Sequence, residues 1–384
     1  MRCSKATSSP NKFMSRAIEL ARRGRGPTAP NPCVGAVLVH DGYIVSEGWH
    51  TAFGKLHAER ECLAQAQEKR LFESINPALC TMYVTLEPCN HHGKTPPCSE
   101  GIIEAGIGKV VIGARDQNPK AAGGADRLRE AGVEVETGAM ERECRDLIAD
   151  FLVWQQTDRT YNILKMAATL DGKIASAEYK PEPVSSPESF ARVHELRELA
   201  DAVIVGGGTF YADNPGLTCR KDDLPADFKQ PLAIVVTSRL PESDAAFTLL
   251  QTRPEQTMFW TDQVTSGSDA AEALKDIGVY VAGLPKQGQG FDFTPGFELL
   301  RKAFGCYYTL CEGGGRLAMA LAAQGLVDEL IHFVAPRMLG DAAAPAAYSG
   351  RSGVNMADAL DWRTVDVELT GNDLMLSLRP VKNE

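Results

Sequence analysis

The stretch from His57 to Cys98 constrains this chain more than any other. It opens with His57-Ala58-Glu59 and closes with Pro88-Cys89-Asn90-His91-His92-Gly93-Lys94-Thr95-Pro96-Pro97-Cys98. His57, Cys89 and Cys98 supply one imidazole and two thiolates, three protein ligands for Zn²⁺ with the fourth tetrahedral position left open. Such a site asks for a helix that starts at His57, a strand that delivers Cys89 and a second helix beginning beside Cys98. A structural site would offer four closed ligands, often in Cys-x-x-Cys repeats, and such repeats are absent. The pattern therefore reads as a catalytic metal site.

Glu59 stands two residues from the ligand His57, beside the metal without being bound by it. A water on zinc loses its proton near neutral pH, and a neighbouring carboxylate can shuttle that proton. This is the arrangement by which zinc deaminases attack an amino-bearing ring carbon, with Glu as acid and base. The commoner second half of that pattern is Pro-Cys-x-x-Cys; here a longer Gly/Pro-rich loop separates Cys89 from Cys98.

The length, 384 residues, predicts two or three domains, each large enough to bury its own core. No apolar run approaches membrane-spanning length, and Met1 to Lys12 lacks the apolar core of a secretory signal. The net charge of −10 disfavours nucleic acid as a partner but leaves room for a phosphorylated small substrate, which needs only a few local cations. Ten cysteines in a long chain without an export signal point to a reducing cytoplasm, with Cys33, Cys62, Cys80, Cys306 and Cys311 as buried small hydrophobes.

In chain order, Lys12 to Arg23 has helical spacing, and Gly26 to Pro32 is a stiff turn that presents Asn31. Asn31 reads equally as an amide for a flat polar ring or as an Asx-turn residue. Val34 to Val39 and Tyr43 to Val45 read as a hairpin turning at Asp41-Gly42. Helices over His57 to Lys69, Ser99 to Ala105 and Ala125 to Ala131 alternate with strands over Cys80 to Leu86, Lys109 to Gly113 and Val133 to Val135. The alternation implies a three-layer α/β domain that ends in the helical stretch Glu141 to Trp154. His50, His91, His92 and Lys94 are extra polar groups near the metal loop, and Lys94 is the best of them as a phosphate or ribose contact.

Near Gln155 to Thr160 a second domain begins. Tyr161 to Ala167 reads as a strand carrying Lys165, and Ser186-Pro187 as a helix start with Ser as cap. Further strands are expected over Ala202 to Val205, Leu232 to Val236, Gly278 to Ala282, Tyr307 to Glu312 and Glu329 to Ala335. Glycine turns are expected at Gly206 to Gly208 and at Gly313 to Gly315, and Ala342 to Gly350 reads as loop. A strand, a glycine turn and a helix N-terminus make an anion cradle, and two of them point towards a nucleotide site.

Taken together, these residues resemble the bifunctional deaminase/reductase family of riboflavin biosynthesis over nearly the whole chain. Thr28 to Val37, His57-Ala58-Glu59 and Thr85 to Cys98 are similar to its deaminase half, and the long Cys-to-Cys loop is specific to it. Lys165, Leu170 to Lys173, Val205 to Thr218 and Glu312-Gly313-Gly314 are similar to its reductase half. The resemblance implies an α/β protein: an N-terminal cytidine-deaminase-like three-layer α/β/α domain over 1–155 and a C-terminal dihydrofolate-reductase-like α/β domain over 156–384. It implies Zn²⁺ and NADPH as cofactors and two consecutive reactions. The first is hydrolytic deamination of 2,5-diamino-6-(5-phosphoribosylamino)pyrimidin-4(3H)-one, and the second is reduction of the ribosyl group to ribityl. In the deaminase half it marks Asn31, His50, His91 and Lys94 as substrate positions beside Glu59 and the metal ligands. In the reductase half it marks Lys165, Arg197, Leu217, Arg220 and Glu312 for substrate. For cofactor it marks Ala167, Thr209, Asp213, Ser238 and the segment Gly314, Gly315, Arg316, Leu317, Ala318, Met319 and Ala320.

One departure from the family pattern falls before Ser186. Pro181-Glu182-Pro183-Val184-Ser185 stands where the family has Ser-x-Trp-Ile-Thr/Ser, so two prolines replace a hydroxyl and an indole. It motivates an alternative, an active deaminase whose second domain does not reduce. A nucleic-acid base deaminase would want a basic groove and aromatic platforms, against 7% aromatic residues and an acidic balance here. The partners expected are a phosphorylated pyrimidine and no nucleic acid or membrane, with room left for a homo-oligomer.

Overall fold

The computed structural model describes residues 9–91, 96–118, 122–178, 182–288 and 290–381. The chain forms two compact units, Met1–Gln156 and Thr157–Glu384.

The first unit begins with helix α1 (Ser9–Arg22), strands β1 (Gly35–His40) and β2 (Tyr43–Trp49), and helix α2 (Ala58–Glu68). It continues through β3 (Thr81–Leu86), α3 (Cys98–Glu104), β4 (Lys109–Ala114), α4 (Gly124–Glu130) and β5 (Glu134–Thr137), and ends in α5 (Glu141–Leu147) and α6 (Ala149–Gln156). Its sheet runs β2-β1-β3-β4-β5, with β1 antiparallel to both β2 and β3 and the rest parallel. Two glycines on paired strands set the layers. A Cβ on Gly35 would lie 2.0 Å from the Ala17 carbonyl of α1, and one on Gly48 would lie 2.5 Å from the Ala58 carbonyl of α2. Gly48 is paired with Ala36 and Gly35 with Trp49, so α1 and α2 press on opposite faces of the sheet. The core between them is built from Met14, Leu20, Leu38, Cys62, Met82 and Ile102, all fully buried. The helical stretch expected over Glu141 to Trp154 is broken at Ile148 into two helices.

The second unit runs β6 (Tyr161–Thr169), α7 (Pro187–Leu199), β7 (Ala202–Gly206), α8 (Gly207–Asp213), β8 (Leu232–Val236), α9 (Thr248–Thr252), β9 (Thr257–Asp262), α10 (Asp269–Asp276) and β10 (Tyr280–Leu284). A small ribbon follows, β11 (Lys286–Gln287) and β12 (Gly290–Phe291). Then come α11 (Thr294–Ala303), β13 (Tyr308–Cys311), α12 (Gly315–Ala323), β14 (Glu329–Ala335), β15 (Trp362–Thr370) and β16 (Asp373–Pro380). The main sheet is ordered β10-β9-β8-β7-β13-β6-β14-β16-β15, parallel from β10 to β14 and closed by the antiparallel hairpin β15–β16. As the Ser-Pro pair predicts, the Ser186 side chain caps α7 by accepting the Ser189 N–H, with Pro187 in the first turn.

Three expectations are corrected. Gly207 and Gly208 do not form an open turn but the first residues of α8, because Gly206 already ends the strand in an extended conformation. The strand expected at Gly278 to Ala282 lies instead at Tyr280–Leu284, since Gly278 sits at a positive φ of 92°. Strands β9, β11, β12, β15 and β16 have no counterpart among the strands expected from the sequence. In β9 every residue is buried, so the run Thr257-Met258-Phe259-Trp260-Thr261-Asp262 carries no alternation to betray it.

Candidate functional site

In the first unit three elements deliver the candidate metal ligands. His57 is the N-cap of α2, Cys89 follows the end of β3, and Cys98 is the first residue of α3. His57 Nδ1 lies 3.6 Å from Cys89 Sγ and 3.4 Å from Cys98 Sγ. Donors on a tetrahedral zinc, at the bond lengths usual for Zn–N and Zn–S, stand about 3.5 Å apart. The donor set therefore fits that ion in chemistry and spacing, and it is the three-donor cluster found among the described residues. The Cys98 N–H points at Cys89 Sγ at 3.4 Å, which favours a thiolate there. Hydrogen bonding from Cys98 and His57 draws the Cys89 thiol down to about 4, and the same sharing, with burial, pushes Cys98 up.

Glu59, in the first turn of α2, is 3% exposed, and burial pushes its carboxyl up to about 6 against the pull of His57. His50 is also buried, and its Nδ1 is 2.9 Å from the Leu56 carbonyl, an acceptor only. Nδ1 therefore carries the proton. Burial lowers the pKa of His50, so Nε2 is the acceptor for the Asn31 amide nitrogen at 3.3 Å. That bond settles which way Asn31 points: its carbonyl oxygen is left for another donor. The Asn31 side chain is thus bonded to His50 on the cavity wall. These groups line one cavity of about 350 Å³ that includes Asn31, His50, His57, Glu59, Cys89 and the exposed His91. Lys94 and His92 lie outside the described residues.

Residues not singled out from sequence complete this site. Asp116 and Asn118 line the cavity, with the Asn118 N–H bonded to Asp116 Oδ1 at 2.8 Å. Phe53 and Lys55 line it as well. Glu87, between β3 and Cys89, is buried and accepts the N–H groups of Asp116, Gly123 and Ala125, which fixes the chain on both sides of the metal loop. The sequence carries no signal for this role of Glu87, whose partners lie 29 to 38 residues further along the chain.

In the second unit Arg197 of α7 and Glu312, just past β13, form a bidentate ion pair at 2.6 and 3.0 Å. Arg197 Nη1 also donates to the Thr218 carbonyl at 2.9 Å. Burial opposes the charge on Glu312, but Arg197 and Lys165 together hold its carboxyl below the ordinary value. Lys165, on β6, is pushed down by burial against the attraction of Glu312. Leu217, next to Thr218, is buried at a φ of 50°, a left-handed conformation uncommon for a branched side chain and of a kind that clusters at ligand sites. Arg220 is exposed, and its N–H is held by His194 Nδ1 of α7 at 3.1 Å. Lys165, Arg197, Glu312 and the Leu217–Thr218 turn therefore form one polar cluster.

The cofactor candidates follow the carboxyl ends of four adjacent parallel strands: Ala167 on β6, Gly314 to Ala320 after β13, Thr209 after β7 and Ser238 after β8. Ligands of open α/β sheets bind along such an edge. A Cβ on Gly208 or Gly314 would meet nothing within 4 Å, so bare backbone faces open space there, and the first N–H groups of α12 lack partners within the helix. These features fit a pyrophosphate cofactor. Leu317 and Ala318 are buried in the core, and the Ala318 N–H already donates to the Gly314 carbonyl at 3.1 Å. Of these two only Leu317 therefore has a backbone N–H to offer, while Arg316 is exposed. Asp213 is exposed at the end of α8.

Comparison with known proteins gives the same division. Residues 160–376 match the RibD C-terminal domain, and residues 7–114 match the cytidine and deoxycytidylate deaminase zinc-binding region. The riboflavin biosynthesis protein RibD of Aquifex aeolicus is 38% identical over 95% of this chain and 96% of its own length. That of Escherichia coli is 35% identical over 95% and 98%. Among solved structures, the diaminohydroxyphosphoribosylaminopyrimidine deaminase/5-amino-6-(5-phosphoribosylamino)uracil reductase of Thermotoga maritima aligns with a TM-score of 0.76 at 32% identity, covering 97% of this chain and 99% of that one. Acinetobacter baumannii RibD aligns with a TM-score of 0.72 at 34% identity, covering 97% and 99%. The chain belongs to the RibD family of riboflavin biosynthesis, as a bifunctional deaminase and reductase that uses Zn²⁺ and NADPH.

Proposed function

We propose that the first unit deaminates 2,5-diamino-6-(5-phosphoribosylamino)pyrimidin-4(3H)-one and that the second reduces the ribosyl group of the product to give 5-amino-6-(5-phosphoribitylamino)uracil. The observation that carries this reading is the cluster of His57, Cys89 and Cys98, with His57 and Cys89 lining one cavity together with the buried Glu59. His57, Cys89 and Cys98 are the proposed ligands of Zn²⁺, which when bound supplies a Lewis acid able to bring the pKa of a water near neutrality. Glu59 takes the proton of the attacking water on a carboxylate oxygen and returns it to the departing amine. Its burial raises its affinity for that proton, with a pKa pushed up to about 6. The Asn31 carbonyl oxygen, oriented by His50, accepts a hydrogen bond from an N–H of the flat ring, with His91 and Lys94 as further substrate contacts.

In the second unit Lys165, Arg197, Leu217, Arg220 and Glu312 are the proposed sugar-phosphate contacts. NADPH supplies the hydride. Ala167, Thr209, Asp213, Ser238 and Gly314 to Ala320 are the residues proposed to hold it, Gly315 to Leu317 through their backbone N–H groups. The boundary between the two activities is drawn at residues 155–156. A net charge of −10 supports small-molecule partners without nucleic acid, and the absence of disulfides among the described cysteines supports a cytoplasmic address. Among the described residues no helix is long and apolar enough to cross a membrane.

The test is an assay on the purified, zinc-loaded chain with the diaminopyrimidine ribotide, following ammonia and NADPH separately. Both signals are expected. Glu59→Gln should retain zinc, measured by metal analysis, and lose ammonia release by a factor of about 10²–10⁴. A fully active Glu59→Gln variant overturns the assignment.

A further inference from the structure

The substrate proposed for the first unit ends in a phosphate, and the cavity that would receive it is rich in acid. Glu59, Glu87 and Asp116 all line it, alongside the imidazoles of His50, His57 and His91. A phosphate dianion approaching these carboxylates in a chain of net charge −10 needs a local cation. Among the described lining residues one side chain is a lysine or arginine, and it is Lys55.

Lys55 is placed by its loop rather than left on a free arm. The Phe53 N–H donates to the Pro27 carbonyl at 2.9 Å, and the Lys55 N–H donates to the Ala52 carbonyl at 3.0 Å. Gly54 supplies the turn between them, at a φ of 82°. On the other side of Lys55, the Leu56 carbonyl is the acceptor for His50 Nδ1 at 2.9 Å. The backbone is thus tied on both flanks, and one of those ties runs to the residue that orients Asn31. The side chain itself is exposed and forms no ion pair among the described residues, so its ammonium is available to an incoming anion.

We propose that Lys55 is a phosphate-recognition residue of the deaminase cavity, its Nζ donating to the phosphomonoester of the substrate while the ring lies towards Glu59. The proposal rests on the deaminase reading of this cavity. It makes Lys55 a specificity determinant that separates a nucleotide-like substrate from its dephosphorylated counterpart, with a lysine acting as a point charge at the cavity.

The experiment compares wild type with Lys55→Ala, Lys55→Glu and Lys55→Arg, all as the full zinc-loaded chain. Ammonia release is measured on the diaminopyrimidine ribotide and on the same compound without phosphate. The reading is the ratio of kcat/KM for ribotide to kcat/KM for riboside. Lys55→Ala should lower this ratio about tenfold, the loss lying in KM, as expected for one charge-assisted hydrogen bond. Lys55→Glu should lower it further, and Lys55→Arg should restore most of it. Salt should weaken ribotide binding less in Lys55→Ala than in wild type. An unchanged ratio, or equal losses on both substrates, overturns the proposal. If wild type releases ammonia from neither compound, the deaminase reading fails and the proposal falls with it.

Discussion

Glu312 shows how one side chain can be read for both chemistry and stability. Its carboxylate is nearly enclosed, and without Arg197 it would be a buried unpaired charge, a situation that costs about 3–5 kcal/mol when one partner of such a pair is removed. The folded-state pKa of Glu312 is below its ordinary 4.5. A carboxyl shifted in that direction contributes stability that is fully present above pH 4.5 and is lost as pH falls through the lower folded value. Glu312→Gln should therefore flatten the acid side of a stability–pH profile recorded by denaturant unfolding, and it should also abolish NADPH oxidation while ammonia release continues. A variant with an unchanged acid limb would contradict the pairing. At this scale the clustering of His57, Cys89 and Cys98 near Glu59 was legible from residue type and spacing alone. Asp116, Asn118 and Glu87 were not, because each acts through backbone N–H bonds or a cavity wall that only the folded chain brings together.

At the scale of elements, the deaminase site depends on how closely α2 lies on β2. Gly48 is the point of contact, and a methyl there would stand 2.4 Å from the Cys62 nitrogen and 2.5 Å from the Ala58 carbonyl. Gly48→Ala must push the first turn of α2 away from the sheet, and that turn carries Glu59 behind His57. Overpacking of this kind costs about 1–3 kcal/mol. Expected is a lowered denaturation midpoint with a disproportionate loss of ammonia release, read against an unchanged rate of NADPH oxidation on the deaminated product. The elements themselves were mostly visible in the sequence, since the hairpin, α2, β3 and the strand-to-helix step at Gly313 follow apolar periodicity and turn chemistry, whereas the glycines after Gly206 predict a turn and form a helix. The missed strands differ in cause. In β9 all six residues are buried, so it shows no alternation. Strand β15 does alternate over Val365-Asp366-Val367-Glu368-Leu369-Thr370 but exposes Val367 and Leu369, so its apolar residues do not mark a buried face.

At the scale of the whole molecule, each unit has its own core, the first around Leu38, Met82 and Ile102 and the second around Trp260, Phe297 and Leu321. The metal-ligand set lies entirely within the first. Chelation should therefore remove ammonia release and leave NADPH oxidation on pre-deaminated substrate intact, with Zn²⁺ restoring the first activity; loss of both together would count against this separation. The departure at Pro181 to Ser185 does not change this expectation, because the reductase family match spans it and the Lys165–Arg197–Glu312 cluster is assembled.

Carrying two such units on a single polypeptide has a consequence for supply. Every translated copy contributes one site of each kind, so synthesis alone cannot alter their proportion. The three ligands of the first unit make metal loading the variable that does: fully loaded, the two kinds of site are equal in number, and each ion lost subtracts a deaminase site while sparing its reductase partner. The ratio of working deaminase to reductase sites thus follows zinc occupancy.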